Sequence, residues 1–382
     1  GVAFKLIEIL YEEFGIDKSE WYKLSEFAAI ATVCDVVDLV DENRIIVKNG
    51  LERLNNTTNL GLQELITECE IQDKTITVYH LGFVIGPCIN ASGRLDSAKK
   101  GLRLLLSEDE EQAMLLAKEV VKLNQDRKDM TMKGVETAIE IVETTGMIND
   151  KVFVIYIPDI HESLAGIIAG RIREKYNVPT MILTKSEYGA KGSGRSIEEY
   201  NMFEELIKCK DLLENFGGHP MAAGFSLKVE NIDKFRKRLN ENTKLSEEDL
   251  LKKVTIDSAL PLDSINYDLI DDLEKLEPFG KGNSKPLFGE KNINVLKAFI
   301  LGKNRNVIKL KLKTKYGKNI DGVYFGEANE FEERIVDKFG KEELEKLYDG
   351  VYNDVSLDLV FYPNVNEYNG NTSLQVVIQN YR

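Results

Sequence analysis

The chain has 382 residues, 43% of them hydrophobic, which is enough for two or three domains that each bury a core. A formal net charge of -14 and a pI near 5.0 exclude binding of polyanions through overall charge, so any nucleic-acid contact has to come from local basic patches. Cys34, Cys69, Cys88 and Cys209 lack the spacing of a zinc clip or redox motif, and no apolar run or leader pattern marks a membrane span or secretion. They read as reduced, buried thiols of a cytoplasmic protein.

The chain opens GVAFKLIEILYEEF, already in helical period through Val2, Leu6, Ile9 and Leu10, without a starting Met or a capping residue ahead. This predicts a chain that begins inside a domain; an expression remnant before a natural first helix is the alternative. Residues 1–106 read as short helices, including an apolar run over 27–37, with a loop over 86–93. In TVCDVVDL (32–39), Asp35 interrupts apolar sequence, and a buried carboxylate needs a partner. A metal ion, a helix end and a buried hydrogen bond all satisfy that need. In GPCINASGRLD (86–96), Asn90 and Arg94 sit among turn formers. Such a loop could hold a backbone phosphate, or Arg94 could pair with Asp96.

Apolar residues at three- and four-residue steps over 108–144 predict one long helix with a single interior glycine, Gly134. At about 1.5 Å per residue it would span on the order of 50 Å, enough to bridge two domains. Asn124 and Arg127 fall on the same face as Val120, where polar groups want partners. From 151 the rhythm alternates: strand VFVIYIP, helix 162–176, strand PTMILTK, a strand or loop over 191–196, helix 202–216, strand 222–228 and helix 231–239. That order implies a compact α/β domain.

Two segments there suit an anion. KGSGRS (191–196) combines glycines that let backbone approach closely with the Ser193 hydroxyl and the planar fork of Arg195, although such a segment is also an ordinary turn. FGGHPMAAGF (216–225) reads as a helix stop at Gly217 and Gly218 or as room for a ligand beside His219.

After 246–253 the chain becomes Gly-, Asn- and Pro-punctuated strands at 294–301, 307–314, 319–325, 356–362 and 373–379, with a helix over 327–348 between the third and fourth. That pattern suits an OB-type barrel. Residues 291–318 hold nine Lys or Arg and no acid; Lys309, Lys311 and Lys313 alternate with apolar residues along one strand, with Lys303, Arg305, Phe299 and Tyr316 near. A single-strand binding face and a merely solvated face both fit.

Taken in order, TVCDVVDLVDENR, GPCINASGRLD, LNQDR (123–127), HESLAGIIAGRI (161–172), KGSGRS, FGGHPMAAGF, LEPFGKGN (276–283) and NEYNGNTSLQVVI (366–378) resemble the RecJ family of single-strand-specific exonucleases, within the DHH phosphoesterase superfamily. The resemblance implies an α/β chain: the C-terminal part of a DHH catalytic domain (1–106), a long connecting helix (107–146), a DHH-associated domain (147–247) and an OB-fold domain (251–382). The family's Asp-x-Asp and Asp-His-His motifs do not occur, and the last aspartate motif is matched by Asp35, a ligand for Mn²⁺ or Mg²⁺. By the same resemblance Ser193 and Arg195 hold a 5′-phosphate, and His219 with Gly217 and Gly218 contacts phosphates near the scissile bond, His219 in a catalytic role. Asn90, Arg94, Asn124, Arg127 and His161 follow the strand, and the barrel lysines bind it further along. Asp38, Ser163 and Ala165 depart from the family pattern.

The implied activity is 5′-to-3′ hydrolysis of single-stranded DNA in repair and recombination, with this chain binding DNA but inactive alone. A single-strand-binding protein and a helicase are implied partners, and no membrane. The rival readings are a superfamily phosphodiesterase acting on short oligonucleotides and a non-catalytic single-strand-binding scaffold.

Overall fold

A computed structural model describes residues 1–368 and 370–382; Asn369, within NEYNGNTSLQVVI, lies outside them. The chain divides into two compact units, Leu51–Lys252 and the combination of Gly1–Gly50 with Lys253–Arg382.

In the Leu51–Lys252 unit the organising element is the expected long helix, 35 residues from Glu110–Thr144, started by Asp109, whose side chain accepts from the Gln112 N–H. Its first half buries Ala113, Ala117 and Val120 against shorter helices at Leu60–Glu68, Gly86–Leu95 and Lys99–Leu105. The segment expected as a loop over 86–93 is instead the Gly86–Leu95 helix. It continues a π-helical turn at Leu81–Ile85, with Pro87 in its first turn. The second half of the long helix packs Ala138 and Val142 with Phe153, Ile155, Ile168 and Ile172.

Strands β1 (Phe153–Tyr156), β2 (Thr180–Ser186), β3 (Gly189–Arg195), β4 (Leu213–His219) and β5 (Ala222–Leu227) form one sheet in the order β1-β2-β3-β5-β4. Only β1 and β2 are parallel. Alternation divides the side chains: Met181, Leu183, Ala190, Phe225 and Leu227 face the core that Phe235 and Leu239 complete, while Ile182 faces the helix Ala165–Tyr176.

The helix expected over 202–216 ends at Ile207. A 3-10 turn follows, and the chain then becomes β4, so Gly217 and Gly218 are strand residues and not a helix stop. Pairing with β5 decides this, because a Cβ on Gly218 would stand 2.6 Å from the Ala223 Cα. Glycine there permits the close approach of two strands.

In the other unit, β6 (Ser258–Ala259) flanks a closed five-stranded barrel of β7 (Phe288–Leu301), β8 (Val307–Lys313), β9 (Asn319–Phe325), β10 (Ser356–Tyr368) and β11 (Asn371–Tyr381). β7, β8 and β9 form a meander, β11 runs parallel to β9, and β10 closes against β7. Ile293, Val295, Ile308, Leu310, Leu312 and Phe361 fill it. The single helix expected over 327–348 is two, Ala328–Phe339 and Lys341–Asp349, broken at Gly340 with φ 90°. A helix at Tyr267–Glu274, capped by Asn266, escaped the sequence reading.

Residues of Gly1–Gly50 form short helices around Phe4, Trp21, Ala28 and Ile46. Within the same unit LEPFGKGN closes on the Asp35 motif. The Leu39 N–H donates to the Lys281 carbonyl, Lys281 pairs with Asp38 at 2.9 Å, and the Arg44 guanidinium donates to the carbonyls of Lys275, Leu276 and Glu277. Asp38, which departs from the family pattern, has an ion-pair partner.

Candidate nucleic-acid interface

KGSGRS lies on β3, and FGGHPMAAGF folds back on itself as the end of β4 and the start of β5, with β5 paired to β3. Register places Arg195, Ala222 and His219 in one row, and Ser193, Gly224 and Gly217 in the next. Residues in register across strands share a face, and Ala190, Ala223 and Phe225 occupy the other face. Ser193, Arg195 and His219 therefore share the face opposite that core. Its floor is bare: a Cβ on Gly217 or Gly224 would meet nothing within 4 Å. Helix Ala165–Tyr176 borders the row closely, since a Cβ on Gly166 would stand 2.7 Å from an Arg195 guanidinium nitrogen and 2.9 Å from the Ser193 Oγ.

Arginines from three elements share one electrostatic neighbourhood. Half-buried Arg195 donates to the Gly194 carbonyl at 2.7 Å and to the Ser193 Oγ at 3.3 Å. Arg94 donates to the Ser163 carbonyl at 3.0 Å. Arg127 donates from two nitrogens to the Asn124 Oδ1, at 3.2 and 2.9 Å. All these acceptors are neutral. Burial, then the charges of Arg94 and Arg173, hold the Arg195 pKa below the usual guanidinium value; burial, Arg94 and Arg171 act likewise on Arg127. Like charges assembled over neutral acceptors favour an anion.

The alternatives left open by the sequence resolve locally. Asp96 pairs with Lys100 at 2.8 Å, so Arg94 does not serve to fix that turn. Asn124 is buried and bonded to Arg127, so that pair is no carboxylate salt bridge. Asn90 is exposed one helical turn before Arg94. His161 caps the turn Glu162–Leu164, its Nδ1 2.7 Å from the Ser163 Oγ. The sequence reading treated Ser163 only as a departure from a pattern, yet it joins His161 to Arg94. Gly166 was missed because its role depends on a neighbouring strand.

The DHHA1 domain model matches residues 149–245, and the RecJ OB domain model matches residues 256–380. The single-stranded-DNA-specific exonuclease RecJ of Bacillus subtilis (strain 168) is 34% identical over 388 residues, 99% of this chain and 46% of that protein. The chain belongs to the RecJ family. The RecJ of Escherichia coli (strain K12) is 29% identical over 400 residues, 100% of this chain and 66% of its own length. Crystal structures of RecJ from Thermus thermophilus in complex with Mg²⁺ and with Mn²⁺ superpose with TM-scores of 0.81 and 0.82 at 26% identity, covering 100% of this chain and 55% and 52% of theirs. The chain thus spans about half to two thirds of the length of these RecJ relatives.

Asp35 does not lie buried among apolar side chains. It is exposed at the C-terminal end of helix Ser25–Cys34, its N–H bonded to the Ala31 carbonyl. Among the described residues no three His, Cys, Asp or Glu side chains gather closely enough to hold a metal ion. The described residues therefore do not by themselves make up the two-metal centre that the resemblance implies.

On the RecJ OB barrel, Ile308, Leu310 and Leu312 point inward and Lys309, Lys311 and Lys313 outward, as the alternation predicts. The sequence segment without acids is not an acid-free surface. Asp321 on β9 pairs with Lys309 at 2.8 Å and Lys311 at 2.6 Å, and Glu332 pairs with Arg305 at 2.9 Å. Lys303 and Lys313 are exposed, as is Tyr316 at 80%; Lys297 lies 5.1 Å from the ring centroid of Phe299.

Proposed function

We propose that this polypeptide grips single-stranded DNA for an exonuclease that removes nucleotides from 5′ ends in repair and recombination. The observation that carries the reading is the set of three guanidiniums, Arg94, Arg127 and Arg195, held by neutral acceptors in one electrostatic neighbourhood, with Arg195 on the sheet face that is bare at Gly217 and Gly224. Phosphate oxygens supply the charge these arginines lack, and the absent side chains let a strand lie directly on the sheet. Ser193 and Arg195 take the terminal 5′-phosphate. His219 and Gly218 contact the next phosphates, while Asn90, Arg94, Asn124, Arg127 and His161 follow the strand.

Hydrolysis of a phosphodiester needs an activated water and neutralisation of charge on the phosphate, the chemistry that paired Mn²⁺ or Mg²⁺ supplies when bound. Asp35 would be one ligand of such a centre, and the described residues do not complete it. The test is anisotropy with labelled oligonucleotides of equal length. Tight binding of 5′-phosphorylated single strand, weaker binding of duplex and no hydrolysis with added Mn²⁺ are expected. Equal affinity for both forms of DNA would overturn the reading, and cutting by this polypeptide would overturn its non-catalytic role.

A further inference from the structure

The scattered cysteines include a pair. Cys69 follows helix Leu60–Glu68, Cys88 sits in helix Gly86–Leu95, and the fold brings their sulfurs to 3.9 Å. Cys88 is 1% exposed, whereas Cys69 is half-buried, within reach of a small solute. The Cys88 sulfur also accepts from the Asn124 amide at 3.2 Å, and the Oδ1 of that amide holds the Arg127 guanidinium. Cys69, Cys88, Asn124 and Arg127 thus form one connected chain that ends in the arginine cluster.

We infer that Cys69 and Cys88 are a modification site, closed to a disulfide by a hydroperoxide, and that closure loosens Arg127 and weakens the grip on a single strand. The effect on the strand rests on the function proposed above; the disulfide does not. The hydrogen bond from Cys69, then burial opposing it and the Asn124 amide assisting, hold the Cys88 thiol below its ordinary pKa, while the same contact and burial push the Cys69 thiol up, so of the two it is Cys88 that ionises first.

As the Cys69 sulfur attacks the terminal peroxide oxygen, its proton crosses the contact to Cys88. The O–O bond breaks, an alkoxide leaves, and Cys69 becomes a sulfenic acid. The Cys88 sulfur then attacks that sulfur, the S–S bond forms, and hydroxide leaves with the Cys88 proton as water. One hydroperoxide is reduced to the alcohol level for each disulfide, and a thiol reductant reverses the change. The sulfurs must close by roughly 2 Å to bonding distance, drawing Cys88 off the Asn124 amide. Asn124 is 4% exposed, so its N–H group must find another acceptor, and the amide cannot turn without moving Arg127.

The experiment oxidises the purified chain with hydrogen peroxide. Peptide mapping without reductant should join Cys69 to Cys88, and the Arg127 Nε–H nuclear magnetic resonance signal should shift. Affinity for a 5′-phosphorylated single strand should fall about tenfold and return with thiol reductant. Cys69→Ser should abolish all three effects of peroxide. Failure to find the linked peptide overturns the site, and a linked peptide with an unmoved Arg127 signal overturns the coupling. If the reduced chain does not bind single strands at all, the proposed function fails while the mapping and the Arg127 signal still judge the disulfide and its coupling.

Discussion

Arg195 and His219 stand in one row of the sheet with Ala222 between them, two strand spacings or roughly 9.5 Å apart along the hydrogen-bonding direction. On one face and at that spacing, the two groups can contact neighbouring phosphates of one strand. Arg195→Ala should therefore weaken binding of 5′-phosphorylated single strand by about 1.5 to 3 kcal/mol, the range for a charge-assisted contact. Hydroxyl-ended strand should lose little. Titrating both oligonucleotides against both proteins separates the roles, and equal losses would remove Arg195 from the strand end.

Gly166 and Gly217 make a paired comparison. A methyl on Gly166 meets the Arg195 tip and the Ser193 hydroxyl, both able to move aside, so Gly166→Ala should leave the melting temperature nearly unchanged while disturbing the terminal-phosphate site. A methyl on Gly217 meets nothing and should also be tolerated by the fold. It would intrude only on a bound strand. Reduced affinity in both variants, with normal thermal unfolding, is expected; unchanged affinity in Gly217→Ala would mean that the strand does not cross the bare strip.

The parts legible in the sequence are those with local causes. The long helix announces itself by apolar spacing, and β8 by the alternation of Ile308, Leu310 and Leu312 with lysines. The missed parts depend on partners far along the chain. Residues 213–219 have the composition of a helix end until β5 is beside them, and the basic run over 291–318 looks unopposed until β9 brings Asp321 across from Lys311. The Cys69–Cys88 contact is of the same kind, because a separation of 19 residues hides it from any spacing rule.

Gly134 tests helix propensity against packing. In the middle of a helix, glycine costs roughly 1 kcal/mol relative to alanine, so propensity alone would make Gly134→Ala stabilising. Its Cβ, however, would lie 2.4 Å from the Cδ1 of Ile168, a fully buried residue of helix Ala165–Tyr176. The substitution should destabilise by about 1 to 3 kcal/mol, the range for overpacking. Denaturant unfolding measures it, and a gain in stability would show that the two helices can separate at no cost.

Asp321 decides how much of the barrel's basic strand is available to DNA. Burial pushes its carboxyl pKa up, but the hydrogen bonds from Lys309 and Lys311 together outweigh that and hold it below the usual value. A depressed carboxyl contributes stability that is complete above about pH 3.9 and is lost as pH falls through the folded-state value. Asp321→Asn should thus remove a stabilising pair at neutral pH and flatten the acid side of the stability curve. The same change frees two lysines. If the barrel face binds a single strand, the slope of log affinity against log salt should steepen by up to roughly 0.7 for each lysine that reaches a phosphate. Neutralising Lys303 and Lys313, both exposed, should shallow it in the same unit. Slopes that respond to neither change would make the basic strand a solvated outer face and confine strand binding to the arginine cluster.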